Sequence, residues 1–341
     1  MSFDHGHALV IGVNNYPNVP GLNVAQTRAD AEAVAAVLRY QQFCGYPESQ
    51  VTLLVDIGAT RGAILGALDA LAGMVSDSDT VLLFYAGHGM YGADGAYYLS
   101  SSDVQIAPVD GKSKVVGGTG VSEAELITKL RAIKAQRVLL IFNACHSGAV
   151  SPTLGVEQQA PAGRNPPNET TAALLATGAG RIIITACRAA QYSYIGTGAL
   201  TLFTQALVSG LLGQGVSGRN GYISAFDLYT HIYTTVSETV KNDYRGIQEP
   251  ELTILKGVGP FAVALYRGAT TLGAFDERAA PTPGVAVRPV SEDESRRAFE
   301  RIVSVGQGVA SGGDLTGGTV IGGNQTNAQG SQGFIGQATG P

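Results

Sequence analysis

The sequence predicts an α/β protein built on a mostly parallel β-sheet with helices on both faces. Short, nearly uninterrupted apolar runs alternate with segments of helical spacing, the pattern of strands buried on both faces and joined by crossover helices. The chain has 341 residues, 45% hydrophobic and 14% charged, so it can bury a sizeable core. Two apolar runs stop at a reactive side chain flanked by small residues, and parallel sheets carry their sites at the carboxyl ends of strands.

The predicted elements follow one another in regular alternation. The apolar runs with strand character are 7–13, 51–55, 81–85, 138–142 and 181–186. The segments with helical character are 23–40, 61–75, 122–134, 198–212 and 224–240. Ser122 with Glu125 three residues later is a capping-box pattern, so this helix is expected to begin at the serine.

Charge and composition exclude several classes of protein. A net charge of −5 and a pI of about 5.6 argue against nucleic-acid binding as the main function. No apolar run reaches the roughly 18 residues of a membrane span, so none is expected. The N-terminal residues lack the basic start and apolar stretch of a signal peptide. Three scattered cysteines do not form a disulfide framework, which favours a reducing cytoplasm as the compartment.

The two informative apolar runs are 80–89 and 137–148, which deliver His88 and Cys145 respectively. A histidine accepts the proton of a nearby thiol because its pKa lies close to neutrality, and the thiolate is the nucleophile. Taken singly, a strand-end cysteine is usually a small buried hydrophobe and a histidine beside glycine a turn residue. Two such endings on strands of one sheet instead predict a Cys–His dyad.

Attack by a thiolate on a carbonyl creates an oxyanion, which needs backbone N–H donors. Gly89 lets the backbone approach closely, and the amide of Cys145 is a second candidate donor. His146 is adjacent to Cys145, and neighbouring side chains on an extended segment point apart, so we expect a structural role for it.

The segments 85–89 (Tyr-Ala-Gly-His-Gly) and 143–148 (Asn-Ala-Cys-His-Ser-Gly) resemble those of caspase-like cysteine peptidases, and within them the bacterial metacaspase-like (orthocaspase) branch. The likeness extends over about residues 7–255. It includes the opening strand, the Arg-Ala-Asp-Ala helix start at 28–31 and the segments 185–191 and 202–207. The resemblance implies a caspase-like three-layer α/β/α sandwich with a mostly parallel central sheet. It also implies Cys145 as nucleophile, His88 as base and the amides of Gly89 and Cys145 as oxyanion donors.

The resemblance further implies a substrate pocket at Asp30, Asn143 and Ala86. In metacaspases two acidic residues there accept Arg or Lys, and the second acid corresponds to Asn143 in this chain; Ala86 replaces a serine. With one carboxylate left, we expect only a weak preference for Arg or Lys before the cleaved bond. An alternative role for Asp30 is to stabilise a helix N-terminus through the dipole.

Metacaspases often need calcium, but their carboxylate cluster is not clearly matched here. The candidates Asp94, Asp103 and Asp110 are scattered and are equally consistent with solvated loops. No metal and no other cofactor is therefore assigned.

Composition divides the chain into three regions. Residues 1–268 are predicted to form the peptidase domain, with a large-subunit-like segment at 1–148, a loop at 149–180 and a small-subunit-like segment at 181–268. A proline-containing linker with one short helix follows at 269–305, and a Gly-rich low-complexity tail at 306–341. The loop is either cleaved on activation or left uncut. The tail is a flexible extension, an element for self-assembly or recruitment, or a substrate mimic.

The sequence thus predicts a cytoplasmic cysteine endopeptidase acting on protein substrates, with bacterial stress or defence signalling implied by resemblance alone. The alternative is a catalytically silent caspase-fold scaffold that acts through its tail. A nucleotide-binding protein and an α/β-hydrolase are disfavoured, because the loop after the first strand lacks a phosphate-cradling glycine pattern and no G-x-S-x-G elbow occurs.

Overall fold

The computed structural model describes residues 2–146, 180–188, 191, 193–218, 221–254, 261–269 and 320–321. The strands are β1 (Gly6–Gly12), β2 (Val51–Val55), β3 (Thr80–Tyr91), β4 (Tyr97–Leu99), β5 (Ile106–Val109), β6 (Lys112–Val115), β7 (Val121–Ser122), β8 (Arg137–His146), β9 (Arg181–Thr185), β10 (Ser193–Tyr194), β11 (Tyr222–Ser224), β12 (Glu251–Ile254), β13 (Ala262–Leu265) and β14 (Val320–Ile321). The helices are α1 (Thr27–Arg39), α2 (Arg61–Met74), α3 (Glu123–Ala132), α4 (Leu202–Leu211) and α5 (Ala225–Asp243).

The central sheet has the strand order β12-β9-β8-β3-β1-β2. The five strands from β9 to β2 pair in parallel, and β12 closes one edge antiparallel to β9. The end of β3 pairs antiparallel with β4, which in turn pairs with β7. The prediction of a mostly parallel sheet is confirmed.

Helices cover both faces of this sheet, because its strands are apolar on both sides. On β3, Leu82 and Phe84 pack in the cluster that holds α1, α4 and α5, whereas Leu83 and Tyr85 pack in the cluster that holds α2 and α3. This alternation along an extended strand produces two hydrophobic cores separated by the sheet. The molecule is therefore the three-layer α/β/α sandwich that the sequence predicts.

Two strands are longer than the sequence predicts, and this corrects the position of the key residues. The run 81–85 lies in β3, which continues to Tyr91, and the run 138–142 lies in β8, which continues to His146. His88 and Cys145 therefore lie within the last paired residues of their strands rather than just after them. The extension occurs because β3 and β8 stay in register beyond their apolar stretches and β4 pairs with residues 89–91.

Two helices begin later than the periodicity predicts. The segment expected from residue 23 forms α1 only from Thr27, because residues 23–26 belong to a loop in which the amide of Val24 donates to the carbonyl of Asn14. The segment expected from residue 198 forms α4 from Leu202, after Thr201 caps it by accepting from the amide of Thr204. The capping box of Ser122 and Glu125 at α3 is confirmed.

The tail contributes one described feature, the strand β14, which pairs antiparallel with β10. Apart from residues 180 and 269, the predicted loop 149–180 and linker 269–305 lie outside the described residues, as does the rest of the tail. Among the described residues, no helix is both long and apolar enough to span a membrane.

Candidate active site

The two predicted catalytic residues lie directly opposite each other on adjacent strands. β3 and β8 pair in parallel, and their register sets His88 against Cys145 and Gly89 against His146. Neighbouring strands lie about 4.8 Å apart, so the backbones that carry the imidazole and the thiol are as close as a sheet allows. The side chains of Cys145 and His146 lie outside the described portion of the structure.

The imidazole of His88 has a defined orientation. Its Nε2 lies 2.8 Å from the carbonyl oxygen of Leu22, which can only accept, so Nε2 carries the proton. Nδ1 is buried and has no hydrogen-bond partner among the described residues. The neutral ring therefore presents Nδ1 as its basic atom.

Burial controls the charge of this histidine. His88 is only 5% exposed. Desolvation lowers its pKa to about 4, and the hydrogen bond to the carbonyl of Leu22 opposes this shift. The ring is consequently neutral near pH 7, which is the state that accepts a proton from a thiol.

The loop that supplies the Leu22 carbonyl is held by polar contacts to its backbone. The Asp56 carboxylate accepts from the amides of Asn14 and Asn15, and the side chain of Asn23 accepts from the amide of Tyr16. Sequence analysis missed Leu22 as an orienting residue, since a backbone carbonyl leaves no signature in side-chain chemistry.

Gly89 is required by close packing of a tyrosine. A Cβ built on Gly89 would lie 1.7 Å from the Tyr97 hydroxyl oxygen, so no other residue fits without moving that ring. The backbone of Gly89 is part of the sheet, opposite Leu99 on one side and His146 on the other. The role of the Gly89 and Cys145 amides as oxyanion donors stays a prediction.

The structure brings together the three residues predicted for the substrate pocket, but places them inside the protein. Ala86 lies opposite Asn143 in the β3–β8 register, and Asp30, Asn143 and Ala86 are each 0% exposed. Sequence analysis missed the residues that enclose them. The amide and hydroxyl of Thr201 donate to Asp30 at 2.9 Å each, and Asn143 Nδ2 donates at 3.0 Å. Thr204 also accepts from Asn143 Nδ2, at 3.2 Å.

The Asp30 carboxyl group has an unusual acidity. Burial raises its pKa to about 7, while the hydrogen bonds from Thr201, Thr204 and Asn143 work in the opposite direction. Asp30 also lies in the first turn of α1, as the alternative role at the helix N-terminus requires. In this arrangement the carboxyl group joins α1, β8 and the start of α4.

Other candidate groups lie apart from the dyad. Cys44 is fully buried, and desolvation raises the pKa of its thiol far above the usual value. Cys187, whose position after a predicted strand suggests a place near the cleft, packs with Val24 and Ile195, beside the loop that carries Leu22. His231 is half-buried and its Nε2 lies 2.7 Å from the hydroxyl of Ser209.

No cluster of metal ligands is visible around the described calcium candidates. Asp94 accepts from the Tyr98 hydroxyl at 2.7 Å, Asp103 accepts from the amide of Arg61 at 2.8 Å, and Asp110 lies in the turn between β5 and β6. In residues 2–146 and the other described segments, no group of three or more His, Cys, Asp or Glu side chains could hold a metal ion.

A parallel sheet with a histidine set opposite a cysteine near its carboxyl edge, between two helical layers, defines a caspase-like protein. Residues 5–256 match the caspase domain family, and the chain belongs to that family. Membership implies a cysteine peptidase whose substrates are proteins.

Two solved structures match this chain over most of their own length. A protein of Geobacter sulfurreducens is 19% identical with a TM-score of 0.50, and the match covers 77% of this chain and 98% of that chain. Caspase-1 from Spodoptera frugiperda is 15% identical with a TM-score of 0.48, over 78% of this chain and 92% of that chain. No curated protein matches this sequence.

Proposed function

We propose that the protein is a cysteine endopeptidase in which Cys145 is the nucleophile and His88 the base. The observation that carries the proposal is the register of His88 opposite Cys145, together with the orientation of the neutral imidazole by Leu22. Nδ1 accepts the thiol proton, and the thiolate attacks the scissile carbonyl carbon. The tetrahedral oxyanion collapses to a thioester, and the amine leaves with the proton from His88. Water then hydrolyses the thioester, with His88 again as base.

A covalent thiol probe tests this proposal. We expect an iodoacetamide-based label on Cys145, identified by mass spectrometry, which is strongly reduced in His88→Ala. The matched control is His231→Ala, a half-buried histidine bonded to Ser209, which should leave labelling of Cys145 unchanged. Equal labelling in wild type and His88→Ala, or no cleavage of denatured protein substrates by the wild type, would favour the alternative of a silent scaffold acting through its tail.

We propose a weak preference for Arg or Lys before the cleaved bond. Asp30 is the only carboxylate of the expected pocket, and its hydrogen bonds with Thr201 and Asn143 must rearrange before it can pair with a basic side chain. A peptide library, assayed with and without calcium, should show cleavage after Arg and Lys only several-fold above other residues, and Asp30→Asn should remove the difference. Strong cleavage after Asp would contradict the proposal.

The cellular setting is a separate proposal that rests on resemblance to the metacaspase-like branch. It comprises a cytoplasmic location, activation by processing in the loop 149–180 or by recruitment, and a role in bacterial stress or defence. Intact-mass analysis of wild type against Cys145→Ala tests the processing step. A fragment pair that forms only in the wild type supports it, and identical intact masses after full activation contradict it.

For the tail 306–341, we propose a role in self-assembly or recruitment. Its described residues Val320 and Ile321 form a strand, and an extended Gly-, Asn- and Gln-rich segment is suited to backbone pairing. A chain that ends at residue 305 should keep its cleavage rate at low concentration and lose concentration-dependent association in analytical ultracentrifugation. Equal association of the full-length and shortened chains would contradict this role.

A further inference from the structure

His88 lies in the part of β3 that extends beyond the end of the neighbouring strand β1. β1 ends at Gly12, whereas its neighbour β3 runs on to Tyr91. The last backbone bond between the two chain segments joins the amide of Val13 to the carbonyl of Ala86, at 2.9 Å. Because a strand points its backbone groups to alternate edges, the amide and carbonyl of His88 face this same edge, beyond the end of β1.

Between the end of β1 and the start of the pairing with β4, two tyrosine hydroxyls and one backbone amide bond to the backbone of His88. The hydroxyl oxygen of Tyr16 accepts the N–H of His88 at 3.1 Å. The carbonyl of His88 accepts from the Tyr85 hydroxyl at 2.8 Å and from the amide of Ser100 at 2.9 Å. The carbonyl therefore has two donors, while Tyr16 is the one acceptor for the amide within the described segments.

Tyr16 also supports the imidazole ring. The two ring centroids are 5.5 Å apart at an interplanar angle of 48°. Tyr16 is 0% exposed, and its own amide is fixed by the side chain of Asn23 at 2.8 Å. A Cβ built on Gly87 would lie 2.9 Å from the Tyr16 hydroxyl and 2.7 Å from that of Tyr85, so the glycine leaves room for both hydroxyls.

We propose that Tyr16 is a positioning residue for His88. Its hydroxyl accepts the N–H of His88 beyond the end of β1, and its ring holds the imidazole against the Leu22 carbonyl. The inference rests on the proposed function, in which His88 is the base. Without the hydroxyl, a buried N–H is left without an acceptor, and the strand at His88 is free to shift towards other partners. A shift of this kind displaces Nδ1 from the thiol, whereas Asp30 of the expected substrate pocket lies on α1 and keeps its bonds from Thr201.

The test compares Tyr16→Phe with Tyr46→Phe. Tyr46 is also fully buried and its hydroxyl donates to the carbonyl of Val263, so the control removes the same atom from a comparable site without touching His88. We expect Tyr16→Phe to lower kcat by about tenfold, as one unsatisfied buried donor implies, with KM changed by less than about twofold. Tyr46→Phe should lose thermal stability with kcat unchanged. Equal kcat in Tyr16→Phe and wild type, or an equal loss in both variants, overturns the proposal.

A second measurement does not depend on peptidase activity. The Nε2–H proton of His88, bonded to the Leu22 carbonyl, should give a downfield NMR resonance that is absent in His88→Ala. We expect this resonance to shift or broaden in Tyr16→Phe and to persist in Tyr46→Phe; an unchanged resonance in Tyr16→Phe overturns the positioning role. If the wild type shows the resonance but neither cleaves protein nor labels at Cys145, the proposed function fails. The comparison of the resonance in Tyr16→Phe and Tyr46→Phe then still decides whether Tyr16 positions His88. If Tyr16→Phe does not fold, Asn23→Ala, which releases the amide of Tyr16, is measured in the same way.

Discussion

His88 illustrates how the surroundings of a residue decide what its chemistry can be. An exposed histidine is half protonated near pH 6.5, whereas burial in this protein lowers the pKa to about 4. The Leu22 carbonyl fixes the proton on Nε2 and leaves Nδ1 as the acceptor. Both effects depend on burial and on the position of the ring, so a change that moves the imidazole, such as Tyr16→Phe, should alter them.

The pH dependence of thiol reactivity follows from this environment. As the pH falls, His88 stays neutral until well below 6.5, so the rate of Cys145 alkylation should lose its His88-dependent component only as the pH approaches about 4. The measurement is the alkylation rate from pH 4 to 8 in wild type and His88→Ala. A wild-type acid limb centred at pH 6.5 or above would mean that His88 is solvated or that it forms an ion pair with the thiolate.

At the scale of elements, the sequence predicts which helices and strands exist better than it predicts the residues at which they end. The capping box at Ser122 is local, and it places the start of α3 correctly. The pattern predicts that the strand leading to His88 ends at residue 85, because Gly87 and Gly89 weaken the strand signal, yet pairing with β4 and β8 extends it. Such an extension depends on partners far along the chain, which periodicity cannot supply.

The C-terminus of α3 is held by a second contact between distant parts of the chain. Arg181, at the start of β9, is 2% exposed and donates to the carbonyls of Leu130 and Ile133 at 2.7 and 2.8 Å. These carbonyls lie at the C-terminus of the helix, where the amide of Ile133 reaches the Leu130 carbonyl at 3.3 Å and where a positive charge is favoured.

We predict that Arg181→Met lowers the free energy of unfolding by about 1–3 kcal/mol, because it removes the Arg181 donor of the Ile133 carbonyl and leaves the Leu130 carbonyl with the longer bond from the Ile133 amide. The measurement is urea unfolding followed by circular dichroism. Lys134→Met, exposed just beyond the end of α3, is the control and should change stability by less than about 0.5 kcal/mol. A change at residue 181 no larger than that of the control would show that water or other groups satisfy these carbonyls.

At the scale of the whole molecule, the sequence predicts the fold class and the two strands of the candidate site. It does not predict what surrounds them. Tyr16 bonds to a residue 72 positions away, and Thr201 bonds to Asp30 across 171 positions. Their hydroxyls have no local signature, and their roles arise only when the sheet brings the chain segments together. The domain boundaries and the role of the tail stay predictions.

The buried acid Asp30 and the buried base His88 make the free energy of unfolding depend on pH in opposite directions. The pKa of Asp30 is raised to about 7 from 3.8, so between these values the native state binds more protons than the unfolded state, and stability falls as pH rises. The pKa of His88 is lowered to about 4 from 6.5, so the unfolded state binds more protons and stability rises with pH in that window. The two contributions oppose each other over the range in which they overlap.

Replacing Asp30 and His88 separately should reveal how each contributes to the pH dependence of the free energy of unfolding. The free energy of unfolding of Asp30→Asn, relative to wild type, should increase steadily from pH 4 to 7, because the contribution that falls with pH is gone. For His88→Gln the same difference should decrease from pH 4 to 6.5. Both follow from urea unfolding at several pH values, with the wild type measured in the same buffers. A flat difference for Asp30→Asn would mean that the carboxyl group is already ionised at pH 4 in the native state, held so by Thr201 and Asn143.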